Sequence, residues 1–174
     1  MIKAILVASI FFNFLNANDN FLEKKFPSIE GISLSGNDVK FPDVLIGKPS
    51  VLAVAFKQKA QLCINSWADE FFPIYGINKD VHYYEIPMLG AQWTIARNWI
   101  DGGMRGGVPK PLHDYTATYY GPLRSYYKSL GISSKGDWYM YVLDKNGIIK
   151  SRFNGYSSKE SLEEMFKLID SLNE

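Results

Sequence analysis

Six consecutive apolar residues, Val51-Leu52-Ala53-Val54-Ala55-Phe56, constrain this chain more than any other feature. Gly47-Lys48-Pro49 punctuates the sequence just ahead of them. A run of that length without a polar break is the pattern of a central strand, covered on both faces. Ala60, Cys63, Ile64, Trp67 and Phe71 follow at helical spacing, which predicts a helix of about three turns with one buried face. A strand feeding directly into an amphipathic helix calls for a sheet with helices packed against it.

The remaining segments extend that plan. Ile29, Ile32 and Leu34 lead to a Ser35-Gly36-Asn37-Asp38 turn, after which Val39 and Phe41 alternate with Lys40. This predicts an N-terminal β-hairpin. A second strand is expected over Val81–Leu89, then a helix over Ala91–Ile100 ending at a glycine-rich loop, Asp101–Gly107. Pro109 and Pro111 are expected to keep the next stretch out of a helix. Tyr115–Tyr120 reads as a third strand and Pro122–Leu130 as a short helix closed by Gly131. Trp138–Leu143 and Ile148–Phe153 flank Asn146-Gly147, a strong hairpin signal. Ser157 and Glu160 have capping-box spacing ahead of a terminal helix with its stripe at Leu162, Met165, Phe166, Ile169 and Leu172. The fold class is therefore α/β: a mixed sheet flanked by helices, in one domain, with the N-terminal hairpin as an extension.

Residues 1–17 read as a secretory leader, leaving 18–174 as the domain. Lys3 supplies a positive start, Ala4–Leu15 an apolar stretch broken at Ser9 and Asn13, and Leu15-Asn16-Ala17 a cleavage site. The stretch falls short of the about 20 apolar residues that span a bilayer, the alternative being an uncleaved membrane anchor, and no later segment approaches that length. The expectation is a periplasmic or secreted protein that is not integral to the membrane after cleavage. With a net charge of +1 and no basic stripe, nucleic acid is excluded as a partner. The single cysteine, Cys63, rules out a disulfide within the chain, although exported proteins usually carry cysteines in pairs.

Several segments carry a resemblance. Gly36-Asn37-Asp38-Val39, Pro42–Leu45 and Gly47–Phe56 look like the opening of exported thioredoxin-like and peroxiredoxin-like proteins. Leu130-Gly131, Tyr141–Gly147 and the helix after Gly155-Tyr156 look like the C-terminal half of the same fold. The order of segments is also similar to the thioredoxin-like mitochondrial assembly factor of the ATP synthase proton channel. Cys63-Ile64-Asn65-Ser66-Trp67, His113–Thr116 and Gly136–Asp144 carry that similarity. The resemblance implies a thioredoxin-like fold, a role in complex assembly and, in that family, no redox motif.

The chemistry agrees. A dithiol enzyme needs one thiolate to attack and another to resolve the mixed disulfide. Lys57–Cys63, where such a pair would stand, holds one cysteine, and Lys135–Trp138 lacks the proline usual before the late strand. Cys63 reads as a small hydrophobe on the helix stripe, the alternative being a lone reactive thiol beside Lys57 and Lys59. His82 reads as a satisfied residue in an apolar strand and His113 as a loop or strand-edge residue, so neither joins Cys63 in a metal site. No cofactor is expected. Trp93, Arg97, Trp99, Met104 and Arg105 combine aromatic and guanidinium groups of the kind enriched at binding hot spots, and they are the candidate protein-partner surface. The alternative is that these tryptophans pack onto the sheet, an ambiguity shared by Tyr115, Tyr119, Tyr120, Tyr126 and Tyr127. The leading reading is an exported, non-catalytic protein that binds another protein or assists assembly. Its rivals are a one-cysteine thiol oxidoreductase or peroxidase using Cys63, and a carrier of a small ligand or metal.

Overall fold

The computed structural model describes residues 20–134 and 138–174, so the leader and the missing-proline segment at Lys135 lie outside the described residues. Seven strands among the described residues form one mixed sheet in the order β2-β1-β5-β4-β3-β6-β7. They are β1 (Ile29–Ser33), β2 (Asp38–Phe41), β3 (Ser50–Ala55), β4 (His82–Gly90), β5 (Ala117–Gly121), β6 (Trp138–Leu143) and β7 (Ile149–Phe153). β3, β4 and β5 run parallel, and the other pairs are antiparallel. The helices are α1 (Gln61–Tyr75), α2 (Arg97–Gly107), α3 (Arg124–Ser129) and α4 (Lys159–Asn173).

The unbroken apolar run of β3 follows from its central place between β4 and β6. Side chains alternate across a strand. Val51 and Ala53 accordingly pack with Ile64, Trp67 and Phe71 of α1 and Met165 and Ile169 of α4. Leu52 and Val54 face the other way, against Phe26, Phe41, Leu45, Tyr84 and Tyr141. β6 divides likewise, with Trp138, Met140 and Val142 under α1 and α4 and Tyr139, Tyr141 and Leu143 opposite. The β6–β7 turn closes as its sequence predicts. Asp144 Oδ1 accepts the Asn146 and Ile148 N–H groups at 2.9 Å each, while Gly147 takes φ +75°, a region open chiefly to glycine.

The sheet ends at β2 and β7, and both margins are dressed. β2 is four residues long and puts Asp38 and Lys40 outward, with Lys40 near Glu30 (3.6 Å) and Asp43 (3.9 Å). Residues 23–26 run beside the start of β7. Glu23 N donates to Ile149 O, Ile149 N to Lys24 O and Phe26 N to Gly147 O, each at 2.9 Å.

Several boundaries differ from expectation, each for a tertiary reason. Asp101–Gly107 is the body of α2, not a loop, and the helix expected at Ala91–Ile100 divides into a 3-10 segment, Ala91–Ala96, and the first turn of α2. Glycine is about 1 kcal/mol poorer than alanine in a helix, which argues against α2 locally. Asp101, only 8% exposed, offsets that by accepting the Tyr120 hydroxyl at 2.8 Å, which pins the helix to β5. Lys110–Tyr115 forms a 3-10 helix with proline in its first turn, so β5 begins two residues later than expected. The cap of α4 is Ser158 with Ser161, not Ser157 with Glu160. Ser157 is engaged with α1 instead: its N–H donates to Ser66 Oγ (3.0 Å) and its hydroxyl to Ser66 O (2.8 Å).

Candidate functional site

A cleft of about 910 Å³ opens where β3 hands over to α1, between β4 and α2. Its walls follow from the chain's own order. Phe56, Lys57, Gln58 and Gln61 come from the end of β3 and the helical entry to α1. Glu85 to Leu89 come from β4, except that Ile86 turns to the opposite core. α2 closes the far side with Trp99, Met104 and three of its glycines, and Trp93 of the preceding 3-10 segment stands at the rim. Any dithiol at the start of α1 would open into this space, and none is there.

The five candidate surface residues separate. Trp93 (50% exposed), Trp99 (82% exposed) and Met104 line the cleft together. Arg97 does not: its guanidinium lies 5.2 Å from the Tyr120 ring centroid, and its Nε is 3.4 Å from Asp101. Arg105 is outside the lining as well, with Nη1 directed to the Leu34 carbonyl at 3.4 Å. Both arginines hold α2 to its neighbours. Ile95, which the sequence reading passed over, is fully exposed between the two tryptophans. No neighbouring atom lies within 4 Å of where a side chain at Gly103, Gly106 or Gly107 would begin, so that stretch of α2 is bare backbone among the described residues.

The tyrosines are structural. Tyr119 packs edge-on to Tyr126, Tyr115 to Tyr84, and Tyr127 to Phe56. His82 Nδ1 sits 3.0 Å from Asn78 Oδ1, and burial with Lys48 nearby holds its pKa below the ordinary value. His113 Nε2 is 2.9 Å from the Val108 carbonyl. Cys63 is half-buried against the α1–α4 core, outside the cleft lining. Among the described residues, no three His, Cys, Asp or Glu side chains come close enough to hold a metal.

Glu85 is the residue that sequence reasoning missed. It lies in the middle of β4, 7% exposed, and contributes to the cleft floor. The Tyr83 hydroxyl donates to its Oε1 at 3.0 Å. Burial pushes its carboxyl above the ordinary glutamate range, opposed by Tyr83 and Gln61 beside it. The available signal was one acid inside the apolar run Val81–Leu89, since glutamate is almost never fully buried without a partner.

The raised carboxyl makes the folded chain favour the protonated form. Its contribution to stability is present in acid and is lost as pH rises through the ordinary value, about 4.3, and then the raised one. Glu85→Gln keeps the shape and an acceptor for Tyr83. It is expected to melt above the unmodified protein at neutral pH, with the gap closing toward pH 4. Thermal melts across that range check this, and a lower neutral-pH melting temperature would exclude it.

Residues 23–172 match the family described as ATP10 protein. No curated protein sequence matches the chain. Among solved structures it is similar to BsSco, a member of the Sco family of cytochrome c oxidase assembly proteins. That match has 12% identity and a TM-score of 0.62, covering 87% of this chain and 95% of the other. The exposed lipoprotein thioredoxin of Streptococcus pneumoniae matches at 15% identity and a TM-score of 0.57, covering 82% and 99%. The thioredoxin domain of a thiol-disulfide oxidoreductase from Bacteroides vulgatus matches at 15% identity and a TM-score of 0.52, covering 85% and 97%. At these identities the likeness establishes the thioredoxin-like fold alone.

Proposed function

The chain belongs to the ATP10 protein family, and from that premise we propose that it is an exported, non-catalytic assembly factor. In this reading it holds a segment of a membrane-complex subunit in the cleft between α1, β4 and α2. One observation carries it: the position that serves redox chemistry elsewhere in this fold is lined by Trp93, Trp99 and Met104, with no thiol. Tryptophan is over-represented at binding hot spots, and methionine adapts to varied apolar partners. An apolar client segment would cover rings that now face water. The non-catalytic part is supported by the half-buried Cys63, packed in the core and away from the cleft. Export rests on the leader-like sequence of residues 1–17. No helix among the described residues is long and apolar enough to cross a membrane.

The test places a photoreactive amino acid at position 99 in intact cells. Reproducible crosslinks to subunits of one membrane complex are expected, and Cys63→Ser should leave their yield unchanged. A profile empty of partners would overturn the assembly reading. Loss of crosslinking in Cys63→Ser would turn attention to a thiol mechanism.

A further inference from the structure

The cleft contains a group that purely apolar docking would not require. Glu85 sits on a central strand and is almost wholly removed from water. Buried carboxylates ordinarily come with a cation, because an unpaired charge in a poorly solvated site is costly. Among the described residues, no ion pair reaches Glu85; the pairs that form use Glu23, Glu30, Asp43 and Asp101. The partner that donates to it, the Tyr83 hydroxyl, is neutral. A carboxylate offers about four lone-pair sites, so acceptor capacity remains.

The two charged residues of the lining differ in setting: Lys57 is exposed, where water screens it, and Glu85 is buried. Most of the remaining lining is apolar, and the Trp93 and Trp99 side chains are exposed. Aromatic faces attract ammonium and guanidinium groups, most strongly where water is excluded. The carboxyl has already lost its hydration in folding, so an arriving cation meets an acceptor fixed in place. Hydrogen bonds of that charged kind are roughly twice as strong as neutral ones.

We propose that the cleft receives one lysine or arginine side chain borne on an otherwise apolar segment of the client, with Glu85 as its counter-ion. This rests on the docking reading above and adds the chemistry by which a client is selected. The apolar flanks would cover Trp93, Trp99 and the bare glycine backbone of α2, while the single cation fixes register. A wholly apolar segment would leave Glu85 unanswered, which is how a neutral competitor is rejected.

The test uses the purified protein and two capped peptides, Ser-Gly-Leu-Ala-Arg-Ala-Leu-Gly-Ser and its counterpart with citrulline for arginine. Citrulline keeps the shape and removes the charge. Tryptophan emission reports binding, because Trp93 and Trp99 are the exposed indoles at the cleft. The arginine peptide is expected to bind at least tenfold more tightly than the citrulline peptide, and Glu85→Gln to bring the two together. Equal affinities in the unmodified protein, or a preference for citrulline, would overturn this proposal while leaving the docking reading in place. If neither peptide bound, both readings would fall. The comparison of the two peptides on the unmodified protein stands even if Glu85→Gln does not fold.

Discussion

A chain carrying Trp93→Ala and Trp99→Ala together is expected to melt at about the temperature of the unmodified protein and yet to lose its client. The two rings are half and four-fifths exposed, so their removal opens no cavity. Surface substitutions of that kind usually change stability by less than about 0.5 kcal/mol. Alanine within α2 is moreover a better helix former than the tryptophan it replaces. Binding is a different matter. Truncating a hot-spot tryptophan costs about 2 kcal/mol or more, which is roughly a thirtyfold loss of affinity for each ring. Capture of the client should therefore drop below detection in the double variant, measured beside a thermal melt of the same preparation. Retained capture at normal stability would remove the cleft from the interface.

The second large effect is on the fold itself. Trp67→Ala is expected to destabilise by about 3–5 kcal/mol. The indole is 1% exposed and lies at the junction of α1, β6 and β7. Its ring centroid is 5.2 Å from Phe153 and 6.3 Å from Trp138, and its Nε1–H donates to the Gly155 carbonyl at 2.9 Å. Truncation would leave a void among fixed rings and an orphaned carbonyl. Against a total stability of roughly 5–15 kcal/mol, the loss is a large fraction. A domain of this size loses about 2–4 °C per kcal/mol, so the melting temperature should fall by at least about 6 °C. Trp67→Phe, which keeps most of the volume, should fall much less. A melt of Trp67→Ala within 2 °C of the unmodified protein would show that this junction does not hold the sheet to its helices.

What could be read from the sequence divides by the range of the interactions involved. The central run of β3, the stripe of α1, the Asn146-Gly147 turn and the stripe of α4 are local patterns, and each appears where periodicity put it. α2 was misread because its four glycines speak against a helix locally, whereas what holds it is Tyr120, nineteen residues beyond Asp101. The α4 cap slipped by one position because Ser157 was drawn to Ser66, ninety-one residues away in sequence. At the site, ring chemistry brought Trp93, Trp99 and Met104 into view together, but what draws Arg97 and Arg105 away from the cleft includes Tyr120 and the Leu34 carbonyl, both on distant segments. Glu85 stayed hidden for the same reason. Its meaning depends on which neighbours β4 acquires in the sheet.

The dressed margins of the sheet bear on how such a chain survives its own surface. A protein that displays Trp93, Ile95 and Trp99 to solvent is a candidate for self-association. Unpaired strand edges would turn such encounters into extended intermolecular ladders. Here one rim ends in a short strand bearing Asp38 and Lys40, and the other is shielded at its start by the backbone of residues 23–26. Contact between two copies through their sticky faces therefore meets only short stretches of open ladder. Aggregation is blunted at the backbone while the side chains stay free to hold something else.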